Sequence, residues 1–67
     1  MNITINEKPY RLKEDATIAD ALKEAKIENQ FGIAVAVNNT VVSKTGWEKH
    51  TVQDNDNILI INAISGG

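Results

Sequence analysis

The stretch that most constrains this chain is its last ten residues, Ile58-Leu59-Ile60-Ile61-Asn62-Ala63-Ile64-Ser65-Gly66-Gly67. A run this apolar reads as a buried strand, which belongs in the middle of a sheet. It then gives way to two glycines, which have no side chain with which to pack. The combination is that of a domain that holds a free carboxylate away from its own body. The chain is therefore expected to divide into a folded body over residues 1–63 and a flexible tail over 64–67.

The remainder must build a sheet around that strand. Asn2-Ile3-Thr4-Ile5-Asn6 alternates polar and apolar, so Ile3 and Ile5 face inward. A turn at Asn6-Glu7-Lys8 returns the chain through Pro9-Tyr10-Arg11-Leu12, with Tyr10 and Leu12 on the core side. Pro9 is tolerated at the start of an edge strand. Thr17 with Asp20 three residues on approximates a capping box. Ile18, Ala21, Leu22 and Ala25 then fall on one helical face, and the helix is expected to end near Ile27. Phe31 is expected to plug the core, with Gly32 as a turn.

Ile33 to Asn38 reads as a strand with large residues at odd positions, facing the core, and Ala34 and Ala36 on a shallow opposite face. Asn39-Thr40 turns the chain into a short strand at Val41-Val42. Ser43 to His50 is irregular around Gly46, and Asp54-Asn55-Asp56 is a tight turn with Asn55 left-handed. A hairpin, a helix, a strand, a short strand and a long strand fit an α+β fold. One helix covers one face of a mixed sheet, and the last strand lies centrally and parallel to the first. This is the β-grasp, or ubiquitin-like roll.

Several function classes lose support. With 67 residues the chain is one small domain, of a size that buries roughly 60% of its unfolded surface. A net charge of −2 argues against nucleic acid, which demands a basic patch. The absence of cysteine rules out disulfides and Cys-based zinc or redox sites. No long apolar run suits a membrane span and no leader pattern is evident, so the expectation is a cytoplasmic protein. His50 is the lone histidine and has no partners for a metal site or triad, Trp47 reads as a packing anchor, and Glu14, Asp15 and Asp20 suit a helix start.

Taken together, Ile3-Thr4-Ile5-Asn6, Val35-Ala36-Val37-Asn38 with Val41-Val42, Trp47, Asp54-Asn55-Asp56 and Gly66-Gly67 resemble the sulfur carrier family of thiamine biosynthesis. Two positions depart from the family pattern: Asn55 stands where the family usually has Gly, and Ser43 where Pro is common. The resemblance implies a protein cosubstrate rather than an enzyme, monomeric when free and binding no cofactor. A ubiquitin-activating-like enzyme would adenylate Gly67 with ATP, a sulfur donor protein would supply sulfur for a thiocarboxylate, and thiazole synthase would consume it. Gly66, Ser65 and Ile64 would thread the partner active sites. Leu59, Ile61 and Ala63 with Ala34 and Ala36 would form the partner surface, unless loops or Trp47 cover that face. Other readings stay open on residues alone. They are a molybdopterin-synthase small subunit or tRNA-thiolation carrier, which Asn62-Ala63 in place of two prolines disfavours, and a ubiquitin-like modifier or plain interaction domain.

Overall fold

A computed structural model of the protein describes residues 1–27 and 31–62. The strands are β1 (Asn2–Ile5), β2 (Lys8–Arg11), β3 (Ile33–Val37), β4 (Thr40–Val42) and β5 (Asn57–Asn62), with one helix, α1 (Ile18–Glu24). They form a single mixed sheet in the order β2-β1-β5-β3-β4. The last strand of the chain thus lies at the centre, parallel to β1 and antiparallel to β3.

Two hairpins flank β5, and both turn on residues with positive φ. Asn6 and Glu7 (φ 51° and 71°) link β1 to β2, so Lys8 is already in the strand. Asn38 and Asn39 (φ 50° and 72°) link β3 to β4. Two-residue hairpins of this kind require φ > 0 at both central positions, which Asn tolerates and a β-branched residue resists. The second turn therefore falls on Asn38-Asn39 and not on Asn39-Thr40, and Thr40 pairs with Val37 as the first residue of β4. Asn55 is left-handed as expected (φ 73°).

The helix start is fully satisfied. Four backbone N–H groups at a helix N-terminus have no partner within the helix. The Thr17 amide donates to Asp20 Oδ2 (2.9 Å) and the Asp20 amide to Thr17 Oγ1 (3.3 Å), completing the capping box. The Ile18 amide donates to the His50 carbonyl (3.1 Å) and the Ala19 amide to the Trp47 carbonyl (3.0 Å). The irregular stretch after β4 thus serves the helix through its backbone.

The helix ends at Glu24, earlier than the expected Ile27. Lys26 takes a left-handed conformation (φ 61°), its amide donates to the Lys23 carbonyl (3.0 Å), and the Ile27 amide reaches back to Leu22 (2.9 Å). That is a Schellman ending, with Lys in the position usually given to Gly. Ile27 packs against the core beside Leu22, the apolar contact this motif favours.

One core lies between α1 and the sheet. Ile3, Ile5, Val35, Val37 and Ile58 meet Ile18, Ala21 and Leu22 there, and Leu12, Trp47 and Val52 close the sides. Trp47 is buried and its indole N–H donates to the Val42 carbonyl (2.9 Å), so it is a packing anchor. Phe31 does not plug this core: it is 74% exposed. Its odd position matches the core-facing parity of β3, but the left-handed Gly32 (φ 76°) breaks the strand before that parity can carry over.

The Asp20 carboxyl is held below its ordinary value of 3.8, first by the Thr17 backbone hydrogen bond and further by the Thr17 hydroxyl, Lys13 and Lys23, with desolvation opposing them. A depressed carboxyl contributes stability above its unfolded value and loses it as pH falls through the folded one. Asp20→Asn is therefore expected to shrink the difference in urea midpoint between pH 7 and the acid side of pH 3.8 relative to wild type. An unchanged difference would remove the capping carboxylate from the account.

Candidate functional site: the outer sheet face and the root of the tail

Because β5 is central, it has one face toward the helix and one away from it. Ile58 is fully buried against α1, whereas Leu59 and Ile61, on the opposite face, are 45% and 47% exposed. Cα partners on adjacent strands share a face. Leu59 stands beside Ala36, which stands beside Val41, and Ile61 stands beside Ala34. The outer face over β5, β3 and β4 is thus apolar. Toward β1 it turns polar, where Thr4 Oγ1 donates to Asn57 Oδ1 (2.9 Å). Trp47 packs on the helix side and does not cover the outer face.

The alanines make this face shallow. Ala36 is itself only 7% exposed, between the larger Leu59 and Val41 on the neighbouring strands. Its contribution is to leave room, and the accessible surface belongs to Leu59, Ile61 and Val41. Sequence reasoning missed Val41, which is 69% exposed. The available signal was its place in the Thr40-Val41-Val42 alternation, which puts it opposite in phase to the half-buried Val42.

Polar side chains lock β5 in place at its entry. Asp54 Oδ1 accepts from the Asn2 amide (2.7 Å), and the Asn55 amide donates to the Asn2 carbonyl (2.7 Å). The Asp56 carboxylate accepts from Asn38 Nδ2 (2.9 Å) and from the Gln53 amide (2.8 Å), while Asn38 Oδ1 accepts from the Asn57 amide (2.9 Å). Further along, β1 has ended, and the Ile60 amide is met instead by Asn6 Oδ1 (2.8 Å). Asn6 therefore supplies both the left-handed turn and the acceptor that the missing strand would have provided. Among the described residues no buried side-chain N or O atom lacks a hydrogen-bond partner.

β5 ends at Asn62, the partner of Ile33. Ala63, Ile64, Ser65, Gly66 and Gly67 lie outside the described residues. A concavity of about 480 Å³ opens elsewhere, between the β3–β4 turn and residues 50–53. It contains His50 and Asp56, but the Asp56 carboxylate is already committed to two hydrogen bonds. Among the described residues no group of three His, Cys, Asp or Glu is placed to hold a metal ion, and no helix is long and apolar enough to cross a membrane.

Comparison with known proteins agrees with this architecture. The ThiS family profile matches residues 3–67. The sulfur carrier protein ThiS of Escherichia coli strain K12 is 33% identical over 67 residues, which is 100% of both chains. A crystal structure of the thiamine biosynthesis protein ThiS from Geobacter metallireducens has the same β-grasp fold, with a TM-score of 0.83 and 26% identity across the full length of both chains.

The two faces of β5 should respond differently to truncation. Ile58→Ala is expected to cost about 3 kcal/mol, because it opens a cavity in a packed core. Ile61→Ala, on the exposed face, should cost less than about 1 kcal/mol. Urea unfolding followed by Trp47 fluorescence measures both, and equal losses would contradict the assignment of faces.

Proposed function

The chain belongs to the ThiS family, and on that premise we propose that it is a sulfur carrier for thiazole formation in thiamine biosynthesis. The observation that carries this reading is the match to the family over residues 3–67, which takes in Gly66 and Gly67, on a fold whose strand β5 lies at the centre of the sheet.

The chemistry begins at the terminal α-carboxylate of Gly67. Such a group has a pKa near ~3.5, so it is ionised at neutral pH and is a poor acyl donor. A carboxylate oxygen attacks the α-phosphate of ATP on a separate adenylating enzyme, pyrophosphate leaves, and an acyl-adenylate forms. Hydrosulfide, or sulfur delivered at that oxidation level by a donor protein, then attacks the acyl carbon. The new C–S bond replaces the C–O bond to AMP, a proton passes to solvent, and Gly67 ends as a thiocarboxylate. Thiazole synthase consumes that sulfur.

This chain's own contribution is presentation. A Cβ at Gly66 or Gly67 would widen the tail and restrict its backbone where a narrow channel must admit it. Ser65 and Ile64 follow the glycines into that channel. With no cysteine in the chain, no internal thiol competes for the activated terminus and none can store sulfur as a persulfide. The apolar face of Leu59, Ile61, Ala34 and Ala36 is the docking surface for both enzymes. Exposed apolar patches beside a reactive end mark such surfaces.

Incubation with ATP, sulfide and the adenylating enzyme of the same pathway should raise the intact mass by one sulfur-for-oxygen exchange. Deleting Gly67 should abolish the shift, and thiazole synthase with its small-molecule substrates should reverse it. An unchanged mass with active adenylating enzyme would overturn the reading.

A further inference from the structure

Phe31 is the most exposed large apolar side chain among the described residues, at 74%. It lies two residues before Ile33, whose Cα partner is Asn62, the last residue of β5. Two residues span at most about 7 Å, and paired antiparallel Cα atoms lie about 5 Å apart, so Phe31 is within about 13 Å of the tail root. Five residues, 63–67, follow Asn62 in the sequence, and a stretch of that length spans at most about 18 Å. An enzyme that closes on the Gly67 carboxylate therefore works within about 18 Å of Asn62, at the end of the sheet that Phe31 shares.

Recognition adds a second consideration. A Gly-Gly end offers an enzyme no side chain to read, so an enzyme that must choose this carboxylate has to select it by the body at the tail root. That burden falls on the first enzyme. The later sulfur acceptor meets a terminus already marked by its thiocarboxylate sulfur. Aromatic side chains, Phe among them, are enriched at the buried core of such contacts.

We propose that Phe31 is the aromatic anchor by which the adenylating enzyme holds the carrier at the root of its tail, seated in an apolar pocket of that enzyme. This rests on the sulfur-carrier reading above. Leu59 and Ile61 extend the same contact along β5, and Phe31 supplies its end nearest the departing chain.

Carrier-dependent ATP–pyrophosphate exchange, followed on the adenylating enzyme of the same pathway, tests this. Phe31→Ala should raise the KM for the carrier by about tenfold or more, with kcat within about twofold of wild type, as loss of a binding anchor requires. Phe31→Leu should recover most of the affinity, and Lys49→Ala, at an exposed position in the turn after Trp47, should match wild type. Phe31→Ala should keep a cooperative thermal transition well above the assay temperature, so that its KM is read on folded protein. Equal KM values for wild type and Phe31→Ala would overturn the anchor while leaving the carrier reading in place. A loss confined to kcat would also overturn it. So would a dimeric wild type that Phe31→Ala converts to monomer in sedimentation, since the anchor would then serve a second copy of this chain. Absence of exchange with wild type itself would overturn both readings.

Discussion

The structure depends on placing the last strand of the chain in the middle of the sheet. β5 can pair with β1 on one side and β3 on the other only after both have been laid down, and its parallel pairing with β1 is short: Thr4 with Asn57 and Ile5 with Ile58. Parallel pairing joins the two ends of the sequence, and its closure entropy has to be recovered from burial. Ile58, fully buried against α1, and the five-pair antiparallel ladder with β3 supply that recovery. The consequence for the sheet is geometric. A central strand has one face turned away from the helix, and on β5 that face is apolar at Leu59 and Ile61.

Side-chain amides complete what the short strands leave open. Asn38 joins the β3–β4 turn to β5 with both ends of its side chain, and Asn6 replaces the strand that β1 does not continue. In a domain of this size the core offers limited stabilisation. Pinning the strand at several polar points keeps it in register without enlarging the core. On the outer face Leu59, Ile61 and Val41 remain exposed.

Much of this was legible in the chain. Alternation in Asn2–Ile5 and Ile33–Val37, the capping pair Thr17 and Asp20, and the Asp54-Asn55-Asp56 turn each stem from local chemistry, and their order led to the β-grasp. The errors came where a local signal pointed one way and the backbone went another. Phe31 has the parity of the core, yet the left-handed Gly32 turns it outward; Lys26 ends α1 in a conformation that Lys adopts rarely, so nothing in the sequence marked the stop. The service of the Trp47 and His50 carbonyls to α1 had no side-chain signature at all, because any residue carries a carbonyl. At the candidate site, the pairing of Leu59 and Ile61 with the alanines of β3 was readable from period two. Whether that face was open was not, because it turned on which side Trp47 would pack.

The central claim is that sulfur leaves the protein from its C-terminal carbonyl for a thiazole ring. The most direct measurement is a single turnover with the carrier loaded at Gly67 with a heavy sulfur isotope, combined with thiazole synthase and its small-molecule substrates in the presence of excess unlabelled sulfide. The account predicts that the ring sulfur is heavy and that the carrier returns to its carboxylate mass. A thiazole containing only light sulfur, with the label retained on the carrier or released as free sulfide, would contradict it.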